Sequence, residues 1–360
     1  MPRFFSTLSL CLLLSGLCAA QRRSGPRDSD PKLEQFTFRV EKLTAPSMGG
    51  RQLEFGVYLP KGYGDSKQAK RRYPLAIWLH GLRGSLWRFH HEGAAVLDEL
   101  RKQGKLPDMI LVTPSAGGRA VYMNGPRNKE EDLILVDLWK HLLKTYRVAE
   151  ARHQRAILGV SMGALGAMKM ALKNPLRFGA VAVHSSPVLP ADPEDLGRFR
   201  RYAESIFGNP IDRKQWAREI PLALLQGHDA KLLHGLRIYF DAGSADRYGF
   251  GPANVAFSKQ LEKQGIQHTF RLIQGGGHSW GSGAIQKAMR WSLEFVGKSF
   301  AAPLPKGDPS KAGRVAPEGA KQGAAGKSTG QSAEESKGKS AQQAAGKTGV
   351  KTGGSSASDE

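Results

Sequence analysis

Ser161 sits in Gly159-Val160-Ser161-Met162-Gly163, within the stretch RAILGVSMGALGAM that runs from Arg155 to Met168. A short apolar run precedes it and an alanine-rich stretch of helical spacing follows. A serine at a tight strand-to-helix turn is forced into strained backbone geometry, and only glycine-sized neighbours avoid collision there. The turn lifts Oγ clear of a sheet, as nucleophilic attack requires. It also aims the Met162 amide and a helix N-terminus at any negative charge developing nearby. A bare Gly-x-Ser-x-Gly is common by chance; its place between a buried strand and a helix is what gives it weight.

A serine hydroxyl needs a base, and the base needs an acid to orient it. In a sheet of this kind they should follow in the order Ser, Asp/Glu, His, each at the C-terminal end of a strand. DAGSADRYGF offers two acids, Asp241 at the strand end and Asp246 three residues after Gly243. HTFRLIQGGG then leads to His278, and its glycines permit a loop that crosses the top of a sheet. Trp280 is positioned to pack beside that ring or line an acyl pocket. His184 falls near the site at a strand end, while His141 and His153 read as helix-surface or loop residues. His90-His91 lacks a matching ligand cluster, so no metal is expected, and nothing calls for a cofactor. A second oxyanion donor belongs in the loop after the strand LAIWL, which makes the Leu82 amide the candidate beside that of Met162. His80 reads as a structural hydrogen-bonding residue.

The elements that would hold these groups alternate. Gln35–Val40 and Gln52–Leu59 pattern as an antiparallel pair. YPLAIWLH, DMILVTPSA, RAILGVS, GAVAVHSS, LRIYFDAG and HTFRLIQGGGH are predicted strands. GAAVLDELRKQGKL, KEEDLILVDLWKHLLKTY, Ala164–Lys173 and GPANVAFSKQLEKQG are predicted helices. This order predicts a mostly parallel α/β sheet with helices on both faces. Residues 191–235 break the rhythm and read as an insertion able to overhang the site as a lid.

The 360-residue chain has a formal net charge of +21. Residues 1–20, MPRFFSTLSLCLLLSGLCAA, have a basic start, an apolar run and a small-residue end, the layout of a secretory signal peptide. The apolar run is about half the roughly 20 residues a membrane span needs, so the mature chain is expected to carry no transmembrane helix. Leu17 disfavours a lipoprotein reading of Cys18. Cys11 and Cys18 both lie in this segment, so the exported chain would have no disulfide, thiolate metal site or cysteine nucleophile. Residues 21–31 read as a flexible lead-in and 301–360 as a disordered basic tail, poor in large apolar residues. Between them lies one domain, 32–300. The charge suits contact between the tail and an anionic envelope. Without a dense Lys/Arg tract interleaved with aromatics, nucleic-acid binding is not expected.

From about Gln52 to Phe300 the chain resembles the α/β-hydrolase esterases that include esterase D, feruloyl and acetyl xylan esterases, and mycolyltransferases. LEFGVYLPKGYG, YPLAIWLHGLRGS, YMNG, LGVSMGALGAM, DAGSADRYGF and GGGHSW carry the resemblance, in family order. It implies the α/β-hydrolase fold and a serine hydrolase with Ser161 as nucleophile, His278 as base, Asp246 as acid, and Leu82 and Met162 as oxyanion donors. Asp241 then stands where the family has a structural acid. Ala164 departs from the double glycine common in the family, placing a methyl where helix and strand approach. Export argues against the glutathione thioesters of the cytosolic S-formylglutathione hydrolases. The expected function is a secreted serine esterase acting through an acyl-enzyme on acyl groups of extracellular polysaccharide or other envelope esters. The alternatives are an acyltransferase of the mycolyltransferase type and a non-catalytic envelope-binding protein.

Overall fold

A computed structural model describes residues 25–116, 121–125, 129–227, 230–278, 283–304, 306 and 308. Eight strands form one sheet in the order β1-β2-β4-β3-β5-β6-β7-β8. β1 (Phe36–Ala45) and β2 (Arg51–Pro60) make an antiparallel hairpin closed by a short 3₁₀ turn, and β2 joins β4 antiparallel. The rest are parallel: β3 (Leu75–Leu79), β4 (Ile110–Pro114), β5 (Arg155–Val160), β6 (Ala180–His184), β7 (Arg237–Gly243) and β8 (His268–Ile273).

The central parallel strands are largely apolar because both faces are covered, yet the two-residue period still sorts their side chains. Leu75, Ile77, Ile157, Val181, Val183 and Phe240 point to one core. α2 (residues 130–145), α3 (Met162–Lys173) and α7 (Phe250–Lys263) cover that face. Ala76, Trp78, Leu158, Ala182 and Tyr239 point to the other, under α1 (Leu86–Lys102) and α8 (Gly283–Ala301). α2 runs through Glu130–Asp132, a π-helical stretch Leu133–Leu138 and Trp139–Thr145. α8 has no counterpart among the predicted helices.

The insertion holds a 3₁₀ segment Pro193–Phe199, α4 (Arg200–Phe207), α5 (Arg213–Glu219), α6 (Pro221–Gly227) and a 3₁₀ turn Ala230–Leu233. Leu189, Leu196, Ala203, Phe207, Trp216 and Ile220 give it a small core that includes Met123 and Leu165 of the main body.

Two boundaries move. Residues 25–31, expected to be flexible, dock on α1: Asp30 lies 3.6 Å from His90 Nε2 and 3.3 Å from His91 Nε2, and His91 Nε2 also meets the Gly25 carbonyl at 3.1 Å. The domain also extends past residue 300. Asp308, buried, accepts hydrogen bonds from the buried Arg152 guanidinium, which also donates to the Pro175 and His234 carbonyls. An exposed tail residue would leave that guanidinium sealed in the body without a counter-charge, which is why the tail's first residues fold back. Residues 1–24, the expected signal peptide among them, and 309–360 lie outside the described residues.

Candidate active site

Ser161 directly follows β5 and caps α3 with φ 55° and ψ −119°, a strained setting for a residue with a Cβ. Its two flanking glycines are required by close approach. A Cβ at Gly159 would lie 2.3 Å from the Gly163 carbonyl oxygen, and one at Gly163 would lie 2.1 Å from that of Leu79. The Ala164 methyl is accommodated, fully buried in the core beneath the helix. The Ser161 N–H donates to the His184 carbonyl at 2.9 Å, fixing the turn to the end of β6.

The loops after β7 and β8 are tied together. Ser244 N–H donates to the Ile273 carbonyl and Ala245 N–H to that of Gly276, each at 3.0 Å. A Cβ at Gly243 would lie 1.9 Å from the Gly276 oxygen, so only glycine permits this approach. The result places Asp246 Oδ2 2.9 Å from His278 Nδ1, and His278 Nε2 2.9 Å from Ser161 Oγ. A carboxylate only accepts, so Nδ1 carries the hydrogen and Nε2 is left to accept the serine proton. Asp246 is buried, and its other oxygen accepts the Tyr248 N–H at 2.8 Å. The rings of Tyr248 and Phe250 stand edge-on to His278 at 4.6 and 5.4 Å.

Asp241 does not reach this constellation. Its Oδ2 lies 2.7 Å from His184 Nδ1 and accepts the Tyr239 hydroxyl at 2.9 Å, while His184 Nε2 meets Ser292 Oγ at 2.8 Å. All four side chains are buried, and burial pushes the Tyr239 hydroxyl pKa up.

On the other side of Ser161, β3 leads into His80-Gly81-Leu82. A Cβ at Gly81 would lie 3.3 Å from Ser161 Cβ, so this loop runs directly beside Ser161. His80 Nε2 meets the Ala116 amide at 3.3 Å and Nδ1 meets the Gly81 carbonyl at 2.8 Å. An amide can only donate and a carbonyl only accept, so the ring is neutral with its hydrogen on Nδ1. Burial holds its pKa down at about 4. The structural reading of His80 fits this arrangement. Leu82 projects its side chain into solvent. The Met162 amide opens α3, where the first N–H groups have no acceptor within the helix.

Several supporting residues were missed in the sequence. Tyr122, buried at φ 55°, donates its hydroxyl to the His80 carbonyl at 3.0 Å. Glu130 Oε2 accepts the Val121 and Tyr122 amides at 2.8 Å each, and burial raises its carboxyl pKa. YMNG was visible as a motif, but only the fold shows that its tyrosine braces the end of β3. Lys169, fully buried on α3, donates to the Tyr122 carbonyl and to both Glu131 and Glu219, and Lys173 contacts the same two carboxylates. The insertion does reach the site: the Tyr202 hydroxyl lies 3.2 Å from Met162 Sδ, and Phe199 packs 5.9 Å from Phe250.

Of the remaining expectations, Trp280 lies outside the described residues. His141 is half-buried against Phe55, with ring centroids 5.4 Å apart, rather than on an open helix surface. His90 and His91 stack on Phe38 and Trp87, and among the described residues no group of His, Cys, Asp and Glu could hold a metal ion. No described helix is long and apolar enough to cross a membrane.

Sheet order and covering helices make this an α/β-hydrolase fold, with a serine, a histidine and a buried aspartate joined at the carboxyl ends of its strands. The model of the family described as "Putative esterase" matches residues 45–300, and the chain belongs to that esterase family. "Esterase Rv1288" of Mycobacterium tuberculosis is 25% identical over 281 residues, covering 69% of this chain and 56% of that protein. The chain thus spans about half the length of the curated relatives it matches. A solved ferulic acid esterase is 25% identical, with TM-score 0.62, covering 74% of this chain and 99% of that one. An S-formylglutathione hydrolase from Agrobacterium tumefaciens is similar in fold, at 20% identity and TM-score 0.60, covering 76% and 99%.

Proposed function

We propose that the chain is an exported carboxylic ester hydrolase working through an acyl-enzyme on Ser161. The observation that carries this reading is the unbroken chain of hydrogen bonds from Ser161 Oγ through both nitrogens of His278 to Asp246, 2.9 Å at each step. Ser161 Oγ attacks the ester carbonyl as His278 Nε2 takes its proton. The tetrahedral oxyanion is held by the Leu82 and Met162 amides. Collapse expels the alcohol, which takes the proton back from Nε2. Water, deprotonated by the same nitrogen, then attacks the acyl-serine and releases the acid. Asp246 holds the ring in the required tautomer and stabilises the imidazolium that forms.

Export is supported by the residue pattern of the first 20 positions. An acylated polysaccharide as substrate is supported by the names of similar proteins, the ferulic acid esterase and an endo-1,4-beta-xylanase/feruloyl esterase of Xylanibacter ruminicola that is 28% identical over 155 residues.

Incubation with a fluorophosphonate and intact-mass measurement tests the reading. One adduct is expected on the native protein and none on Ser161→Ala. Folded native protein that gains no adduct would remove the activated serine and with it the hydrolase.

A further inference from the structure

Two arginines that meet Tyr248, whose ring packs on His278, have no part in the chemistry above. Arg198, from the 3₁₀ segment of the insertion, donates to the Tyr248 carbonyl. Arg247, next to Asp246 in sequence, donates to the Tyr248 hydroxyl at 3.0 Å, with its guanidinium 4.9 Å from the ring centroid. Tyr248 therefore carries a guanidinium at its backbone and another at its hydroxyl, while its ring stands 4.6 Å from the His278 ring. Both arginines are exposed, and neither forms an ion pair with a carboxylate among the described residues. Their neighbours in the insertion differ: Arg200 is paired with Glu194, and Arg213 with Asp192 and Glu194.

We infer that Arg198 and Arg247 select esters whose alcohol part carries a carboxylate, as an acidic sugar does. The inference rests on the ester-hydrolase reading. His278 must return its proton to the departing alkoxide, so the alcohol lies on the His278 side of Ser161, the side that Tyr248 and its two guanidinium groups occupy. Each guanidinium uses one N–H on Tyr248 and keeps others free in the planar fork that suits a carboxylate. An exposed guanidinium–carboxylate contact is worth about 0.2–1 kcal/mol, which is roughly a 1.5- to 5-fold preference per arginine.

The test uses two acetyl esters with the same nitrophenol chromophore, 4-nitrophenyl acetate and 5-acetoxy-2-nitrobenzoate, which adds a carboxylate to the leaving group. The ratio of their kcat/KM values is measured in the full chain and in Arg198→Gln, Arg247→Gln and the double variant. A ratio favouring the carboxylate ester, reduced about 1.5- to 5-fold by each substitution and about 2- to 25-fold by both, supports the inference. An unchanged ratio in the double variant overturns it. So does a native enzyme that favours 4-nitrophenyl hydrogen succinate, whose charge is on the acyl side. Should a variant fail to fold, the salt dependence of the native ratio decides: it should fall as salt rises from about 0.02 to about 0.5 M, as the charges are screened, and a flat response overturns the inference. Hydrolysis of none of these esters would instead sink the hydrolase reading itself.

Discussion

The His184 carbonyl accepts the Ser161 N–H at 2.9 Å, while the same residue's imidazole lies 2.7 Å from Asp241. The aspartate that does not reach His278 therefore holds the strand end on which Ser161 hangs. The two aspartates should separate in their effects. Asp246→Asn should lower kcat by about 10³–10⁴-fold, through loss of the correct His278 tautomer, with little change in melting temperature. Asp241→Asn should lower stability by about 1–3 kcal/mol, because a buried polar cluster loses its charge, and should lower kcat much less. Steady-state kinetics beside thermal melts would separate them; the reverse ranking in kcat would reassign the acid.

Gly159 and Gly163 differ from Gly64 in what surrounds them. A methyl at either of the first two meets backbone atoms at 2.3 or 2.1 Å, whereas nothing lies within 4 Å of one at Gly64. Gly159→Ala and Gly163→Ala should each destabilise by about 3 kcal/mol or more, the upper end for overpacking, since backbone cannot step aside as a side chain does. Gly64→Ala should stay within about 0.5 kcal/mol of the native chain in urea unfolding.

His80 gives the fold a dependence on acid. Its folded pKa of about 4 lies below the ordinary 6.5, so the unfolded chain binds more protons between those values and stability falls as pH drops through that window. The difference is worth about 3 kcal/mol, fully present above about pH 6.5. His80→Gln should be less stable at neutral pH but show a shallower loss between pH 6.5 and 4 by denaturant titration. An equal slope in both proteins would assign the acid sensitivity to other groups.

Asp308 should matter although it lies beyond the body that the sequence delimits. Asp308→Ala leaves the buried Arg152 guanidinium without its counter-charge, a loss of about 3–5 kcal/mol. A melting temperature equal to that of the native chain would show that the tail contact adds nothing.

Much of the sheet was legible because fully buried parallel strands such as LAIWL are unbroken apolar runs, and AVAVH turns polar only at its last residue, His184. Ser161, His278 and the two aspartates could be read from strand ends and glycines, since those glycines exist to let loops meet. The residues alone left Asp241 and Asp246 both open, because both follow the same strand within a few residues, and only the family resemblance singled out Asp246. Helix α8 was not anticipated, because it follows the glycine- and serine-containing stretch SWGS in the sequence. Tyr122, Glu130 and Lys169 gave no warning either. Their partners are backbone atoms or distant carboxylates, and no local spacing encodes such contacts. The Arg152–Asp308 pair is hidden for the same reason, 156 residues apart and set in a composition that reads as solvated chain.

The four charges Lys169, Lys173, Glu131 and Glu219 moor the insertion at α5 to helix α3, while the hydrogen bond from Trp216 to the Ala191 carbonyl ties the insertion to itself. Arg198, Phe199 and Tyr202, near its other end, touch the site through Tyr248, Phe250 and Met162. Like a beam bolted at one end and resting at the other, this segment leaves its resting end open to revision. Substitutions at those positions would recut the mouth of the enzyme while the bolted end keeps Ser161 in register.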